Sequence, residues 1–180
     1  MKITKIIKHD DDLIEEQYVN GDKRWLKNNK YHRENGPAIE QNDGTKYWYI
    51  SGNLHRDNGP AIESVDGYKK WYIEGKLHRI DGPAIEWNNG DKHWYINGEL
   101  HRVGYAAIEY SNGSQHWYQN GLLHREDGPA IEDKYYNHCV KQWRFKGREY
   151  TEQEFNIMKM KNELNKELIN NDVKPKRLKL

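Results

Sequence analysis

"WYINGELHR", residues 94–102, is one instance of a phrase that this chain repeats with almost no drift. Trp25, Trp48, Trp71, Trp94 and Trp117 stand 23 residues apart. His32, His55, His78, His101 and His124 keep the same interval, each followed by Arg33, Arg56, Arg79, Arg102 or Arg125. A "GPAIE" box fills 36–40, 59–63, 82–86 and 128–132, and the fourth copy reads "YAAIE" at 105–109. Five complete copies thus occupy about 20–133. A partial sixth runs to about 150: Trp143 and Gly147 of "WRFKG" keep the Trp-to-Gly spacing, and Tyr150 stands in the histidine column. A short fixed period marks a repeat architecture, in which each unit buries its apolar side against the next.

The punctuation within a copy points to strands. "NG" at 97–98 and 120–121 supplies the positive-φ pair that a two-residue type I′ hairpin needs. That turn sets Ile96 opposite Glu99, Tyr95 opposite Leu100 and Trp94 opposite His101. The glycine turns at 43–44, 66–67, 89–90 and 112–113, read the same way, set Ile85 opposite Trp94 and Glu86 opposite His93. Alternation then predicts one face carrying Trp, His and the box Ile, and another carrying Tyr, Leu, Arg and the box Glu. Gly-Pro ends regular pairing, because proline has no amide hydrogen and a fixed φ. The expected fold is an all-β repeat: an elongated, twisted antiparallel sheet of hairpin units, with equivalent histidines roughly 10 Å apart.

Composition agrees with a thin body. Of 180 residues only 35% are hydrophobic, and seven Trp and thirteen Tyr outweigh two Phe; broad amphipathic rings can stabilise a thin layer where a thick core would be understocked. Lys plus Arg at 29 nearly cancel Asp plus Glu at 28, so no global field favours nucleic acid or an anionic membrane. The single Cys139 excludes an internal disulfide framework and suits a reducing compartment, which predicts a cytoplasmic protein. Neither a signal-length apolar segment nor a membrane-spanning run is present.

The pattern "WYxxGxLHRxxGPAIE" resembles a variant of the MORN repeat (membrane occupation and recognition nexus), of the kind found in large DNA viruses and tailed bacteriophages. The resemblance covers about 20–150 and departs from the usual unit in one column, where Arg follows His in place of Gly. It implies a MORN-like hairpin sheet and a viral or phage-encoded interaction protein that binds a host or virion protein, with counter-defence inhibition as one such role. It also raises membrane-surface association as a scaffold.

The ends are atypical, as array ends must be. Residues 1–19 are expected to cap the first copy, "ITKIIK" as a strand and "HDDDLIEEQ" as a segment too acidic to pair further. "TEQEF" at 151–155 is a capping-box pattern with Thr151 as N-cap and Glu154 at N3, opening a helix to about Ile169. Ile157, Met160, Leu164 and Leu168 share one stripe of it, read first as a lid on the last strands and otherwise as a dimerising or partner-binding surface. The tail 170–180 is basic and expected to be flexible.

Five near-equal constellations do not resemble an active site, and no nucleophile elbow, phosphate loop or His-Glu-x-x-His helix occurs, so no enzyme activity and no cofactor are expected. Histidines about 10 Å apart cannot share a metal ion, whose ligands lie about 2 Å away. The His and Arg columns with Trp71 and Trp94 are therefore candidate contacts to a protein partner or, in grooves between copies, to an anionic small ligand such as a nucleotide. The competing reading is architectural: rings packed on the cross-strand Trp, and Arg paired with Glu40, Glu63, Glu86, Glu109 and Glu132.

Overall fold

The computed structural model describes residues 2–135 and 138–172. It is an antiparallel β structure built on one 15-stranded sheet, with a helix at its C-terminal end. In the interior copies two strands of only two residues enter this main sheet, such as Ile85–Glu86 and Lys92–His93, whereas the end strands Lys23–Lys27 and Ile131–Tyr135 are longer. The chain then passes through one tryptophan into a separate small hairpin, such as Tyr95–Ile96 with Glu99–Leu100.

Tryptophan marks the elbow because its backbone serves both parts. The Trp94 amide donates to the Ala107 carbonyl at 2.8 Å, and its own carbonyl accepts from the His101 amide at 3.1 Å. Successive hairpins are joined by two further bonds per copy: the Arg79 amide donates to Tyr95 at 3.1 Å and the Gly98 amide to Leu77 at 2.8 Å. Strands this short would not survive alone, and the ladder through the backbone of neighbouring copies is what holds them.

The outer hairpins have the expected register, Tyr95 opposite Leu100 and Ile96 opposite Glu99. Their turns take two left-handed residues, Asn97 at φ 52° and Gly98 at φ 88°. The glycine turns of the main sheet differ. At 87–91 the Trp87 amide bonds to the Asp91 carbonyl and the Gly90 amide to the Trp87 carbonyl; Gly90 alone has positive φ, at 93°. The residue before the glycine stays out of the left-handed region, and its side chain accepts the amide two residues on, as Asn89 does from Asp91 at 3.1 Å and Asp43 from Thr45 at 2.8 Å. The loop is one residue longer than a type I′ turn, which shifts the register by one. Ile85 faces His93, and Glu86 faces Lys92.

That shift corrects the predicted faces, since a one-residue slip moves every side chain across the sheet. The box Ile lies with the 93 column and Tyr, whereas the box Glu lies with Trp and Arg. The core is correspondingly thin. Ala38, Ala61, Ala84, Ala107 and Ala130 are fully buried, with Ile62, Ile85 and Ile108 nearly so.

At the N-terminus Ile3–Lys8 forms the sheet edge and pairs with Leu13–Tyr18, which in turn pairs with Lys23–Lys27. The acidic segment is thus partly an interior strand. Glu15 sits opposite Ile7 and Trp25, and its carboxylate accepts from Gln17 at 2.7 Å and meets His9 at 3.1 Å. At the other end Trp143 pairs with Tyr150. The helix, Glu152–Asp172, opens on the capping box: the Glu154 amide donates to Thr151 Oγ1 at 3.2 Å, and the Thr151 amide to Glu154 Oε2 at 2.8 Å.

Phe155, the largest fully buried side chain, anchors the helix, and Met158 beside it is half-buried. The stripe Ile157, Met160, Leu164 and Leu168 is exposed throughout, which overturns its reading as a lid. Phe155 lies on the opposite side of the helix from Leu164 and fixes which side turns inward. Of the basic tail, the part beyond Asp172 lies outside the described residues.

Candidate functional site

The histidine column is an inter-repeat fastening. In each copy Nδ1 accepts a backbone amide from the turn of the next hairpin. His32 accepts from Ser51 at 3.1 Å and His55 from Glu74 at 3.2 Å; His78 accepts from Asn97 at 3.2 Å, His101 from Asn120 at 3.2 Å, and His124 from Lys146 at 3.1 Å. In His78 and His101 the same Nδ1 also meets the side-chain Oδ1 of the turn asparagine, Asn97 at 3.0 Å and Asn120 at 2.9 Å. The Nε2 side of His55 meets Asp57 at 3.1 Å, and those of His32 and His124 lie 3.7 Å from Glu34 and Glu126. Burial holds the His124 imidazole below the usual histidine range, against the opposing pull of Glu126.

The arginine column is equally engaged. Arg33, Arg56, Arg79, Arg102 and Arg125 each lay the guanidinium over the tryptophan of the same copy, 3.8 to 4.0 Å from the ring centroid. Nη1 donates to a carbonyl four residues on, Pro83 in the case of Arg79, at 3.2 Å. It also donates to the box glutamate, from 2.6 Å at Glu109 to 3.3 Å at Glu40. Sequence reasoning had put Trp and Arg on opposite faces. They meet because His and Arg follow the last residue of the hairpin strand, where alternation no longer applies, and because the register shift brings Glu to the Trp side.

The glycine of the box completes this arrangement. A Cβ built on Gly36, Gly59 or Gly128 would stand 3.1 Å from the guanidinium carbon of Arg33, Arg56 or Arg125, and on Gly82 only 2.8 Å from that of Arg79. The guanidinium therefore lies between an indole and a bare glycine backbone. Only the fourth copy opens the sandwich: Tyr105 replaces glycine, and its ring stands 5.0 Å from Arg102.

Trp71, together with Trp48, Trp117, His55, His78, His124 and the arginines, does line grooves between copies, whereas Trp94 is not among the residues that line them. One of about 680 Å³ runs from Arg33 and Pro37 to Trp48, His55 and Arg56, and one of about 600 Å³ from Arg56 and Pro60 to Trp71, His78 and Arg79. Each is also lined by carboxylates, Glu34 and Asp57 in the first and Asp57 and Asp81 in the second. The cations are already stacked and paired, so such a groove offers an anion little net attraction. Among the described residues no three His, Cys, Asp or Glu side chains converge on one point.

The opposite face carries a set of side chains that the repeat columns concealed. Each is a departure from the repeat. Positions 87 and 110 hold Trp and Tyr where copies 1 and 2 have Gln41 and Ser64, and the column 47, 70, 93, 116 reads Tyr, Lys, His, His. These residues form a continuous aromatic run: Tyr68 to Trp87, tilted, at 5.6 Å, then edge-to-face from Trp87 to His93 at 6.5 Å, His93 to Tyr110 at 6.0 Å and Tyr110 to His116 at 5.3 Å. Lys70 Nζ lies 4.8 Å above the Trp87 ring, and His116 Nε2 meets Asp133 at 2.6 Å.

Beside this run stand the hairpin tyrosines Tyr49, Tyr72, Tyr95 and Tyr118, all half-buried. Burial, reinforced by neighbouring phenols, pushes the hydroxyls of Tyr49, Tyr72 and Tyr95 above the usual phenol range. The signal for this face was available in the sequence as the columns that vary, whereas attention to the invariant columns selected the fastening. No protein-family model matches this chain, and no curated protein matches its sequence.

Proposed function

We propose that this is a non-enzymatic repeat protein that binds another protein along the tyrosine-bearing face of its sheet. One observation carries the reading: the run Tyr68, Trp87, His93, Tyr110, His116 is aromatic and half-buried, and its turn members Trp87 and Tyr110 have no aromatic counterpart at Gln41, Ser64 and Asp133 of the other copies. The fold does not require it, since Gln41 and Ser64 fill equivalent turn positions. Rigid aromatic rings with a polar tip are the side chains that dominate protein interfaces. That the partner is a host or virion protein rests on the repeat's resemblance alone, and that they meet in a cytoplasm rests on the single Cys139. No described helix is long and apolar enough to cross a membrane.

The test is affinity capture with the whole chain as bait, beside a Tyr68→Ser, Trp87→Ser, Tyr110→Ser variant whose melting temperature matches the original. One stoichiometric protein partner, lost in the variant, is expected. Capture that survives the variant removes the reading. So does calorimetry that finds several equivalent nucleotide or inositol phosphate sites per chain, which would move the function to the grooves between copies.

A further inference from the structure

The loop that follows each His-Arg pair forms one rim of the array, and its second position after His reads Glu34, Asp57, Ile80, Val103 and Glu126 through the five copies. Where the residue is acidic it faces the histidine of its own copy, as Asp57 does His55 at 3.1 Å. In copies three and four the acid at this position is missing, although exposed Asp81 follows Ile80 and pairs with Arg79 at 3.0 Å, and the side chains at this position are among the most exposed apolar groups of the described residues. Ile80 is 85% exposed, Val103 68%, and Tyr105, which takes the glycine's place in the same loop, 67%. One backbone bond is common to all five loops: the Arg amide bonds to the next copy at 3.1 to 3.2 Å whether the rim residue is acidic or apolar. The fold therefore has no need of Ile80 or Val103, and neighbouring exposed apolar groups with no structural task mark a contact surface.

Its surroundings state the partner's chemistry. The apolar centre lies between Asp57 on one side and Glu126 with Asp127 on the other, all well exposed. The geometry points to a docking rim for an extended protein segment with bulky apolar side chains at its centre and a lysine or arginine toward each end. Asp57 and Glu126 are three copies apart, about 30 Å at two strand spacings per copy. An extended chain advances about 3.3 Å per residue, so the segment spans about nine residues. Ile80, Val103 and the Tyr105 ring receive its centre, and the carboxylates receive its ends. This surface is separate from the tyrosine face, and the two stand or fall independently.

The probe is a displayed library of random twelve-residue peptides panned on the whole chain, with the selected peptide then labelled and titrated by fluorescence anisotropy. Enriched sequences are expected to carry apolar residues flanked by Lys or Arg and to bind more weakly as salt is raised. The variant Ile80→Asp, Val103→Glu restores the residue types that other copies already hold at this position, so it folds. It is expected to weaken binding at least tenfold, while the Tyr68→Ser, Trp87→Ser, Tyr110→Ser variant stays within twofold of the original. Enriched peptides without basic ends, no saturable binding, or equal affinity in the Ile80→Asp, Val103→Glu variant would overturn the proposal. Sedimentation showing a dimer that this variant converts to monomer would also overturn it, by assigning the rim to a second copy.

Discussion

The Nδ1 atom of His101 accepts a hydrogen bond of 3.2 Å from the backbone amide of Asn120, one copy further along the chain. Asn120 has φ 49°, in the left-handed region, and begins the turn of its hairpin. The imidazole thus holds in place the one backbone segment of the next copy that is conformationally costly. Replacing His101 by Leu keeps the bulk and removes the acceptor, at an expected cost of about 1 kcal/mol because water can reach the freed amide. Hydrogen exchange at Asn120 resolves the effect locally, which suits an array whose stability is a sum over neighbours. Faster exchange there, with Asn97 unchanged, is expected.

Acid should loosen the array. His93 is held below the usual histidine range by burial, opposed by Asp91 and aided by the charges of His116 and Lys70, and its Nε2 is buried with no hydrogen-bond partner. His124 is depressed in the same direction by burial, and its Nδ1 is already accepting from Lys146. For both, the unfolded chain takes up a proton first, at the ordinary histidine value of about 6.5. Stability is therefore full above that pH, declines as pH falls toward the lower folded values, and levels off once the folded rings are protonated. Melting temperature followed from pH 7.5 to 5 is expected to fall, and less steeply in His93→Tyr, which places in this column the residue that copy 2 carries as Tyr47.

Much of this was legible in the sequence, and the misreadings share a cause. The period, the outer hairpins and the capping box follow from local chemistry: a positive-φ pair at 97–98, and Thr151 with Glu154. The faces did not follow, because the same Asn-Gly letters make a two-residue turn at 97–98 and a longer one at 89–90. In the second, the Asn89 side chain binds the Asp91 amide and stays out of the left-handed region. One residue of loop length decides whether Glu86 joins Arg79 on the Trp71 side or lies across the sheet from it. The aromatic face was missed for a different reason. Its residues break the repeat at Trp87 and Tyr110, so weight placed on recurrence passes over them.

Glu74 occupies the first turn position of the third hairpin at φ 49°, where other copies use Asn97 and Asn120. Asparagine tolerates this conformation better than glutamate. Glu74→Asn is expected to stabilise by about 0.5–1 kcal/mol, read as a raised denaturation midpoint with an unchanged slope.

Trp71 and Arg79 should behave as one unit. Trp71→Ala removes the indole at the elbow of the third copy and is expected to cost about 3–5 kcal/mol. Arg79→Lys keeps the charge but loses the planar stack at 4.0 Å and the paired donation to Pro83 and Glu86. Its expected cost is about 1–2 kcal/mol, because the Arg79 and Glu86 side chains are 22% and 37% exposed and solvent screens their pairing. An Arg79 variant as stable as the original would return that column to the surface role first considered for it.

Gly82 isolates the sandwich itself. A methyl group there would stand 2.8 Å from Arg79 Cζ, inside van der Waals contact, so Gly82→Ala must push the guanidinium off Trp71 or shift the loop. Overpacking of this kind costs about 1–3 kcal/mol. If the guanidinium is what the methyl displaces, the cost depends on its presence: Gly82→Ala should be nearly neutral in an Arg79→Ala background, giving a coupling of at least about 1 kcal/mol in the double-mutant cycle. Additive losses would mean that the glycine serves the loop backbone alone. Gly44 supplies the comparison, since a Cβ there meets nothing within 4 Å although φ is 95°. Its replacement by alanine should destabilise through backbone strain and show no coupling to any arginine.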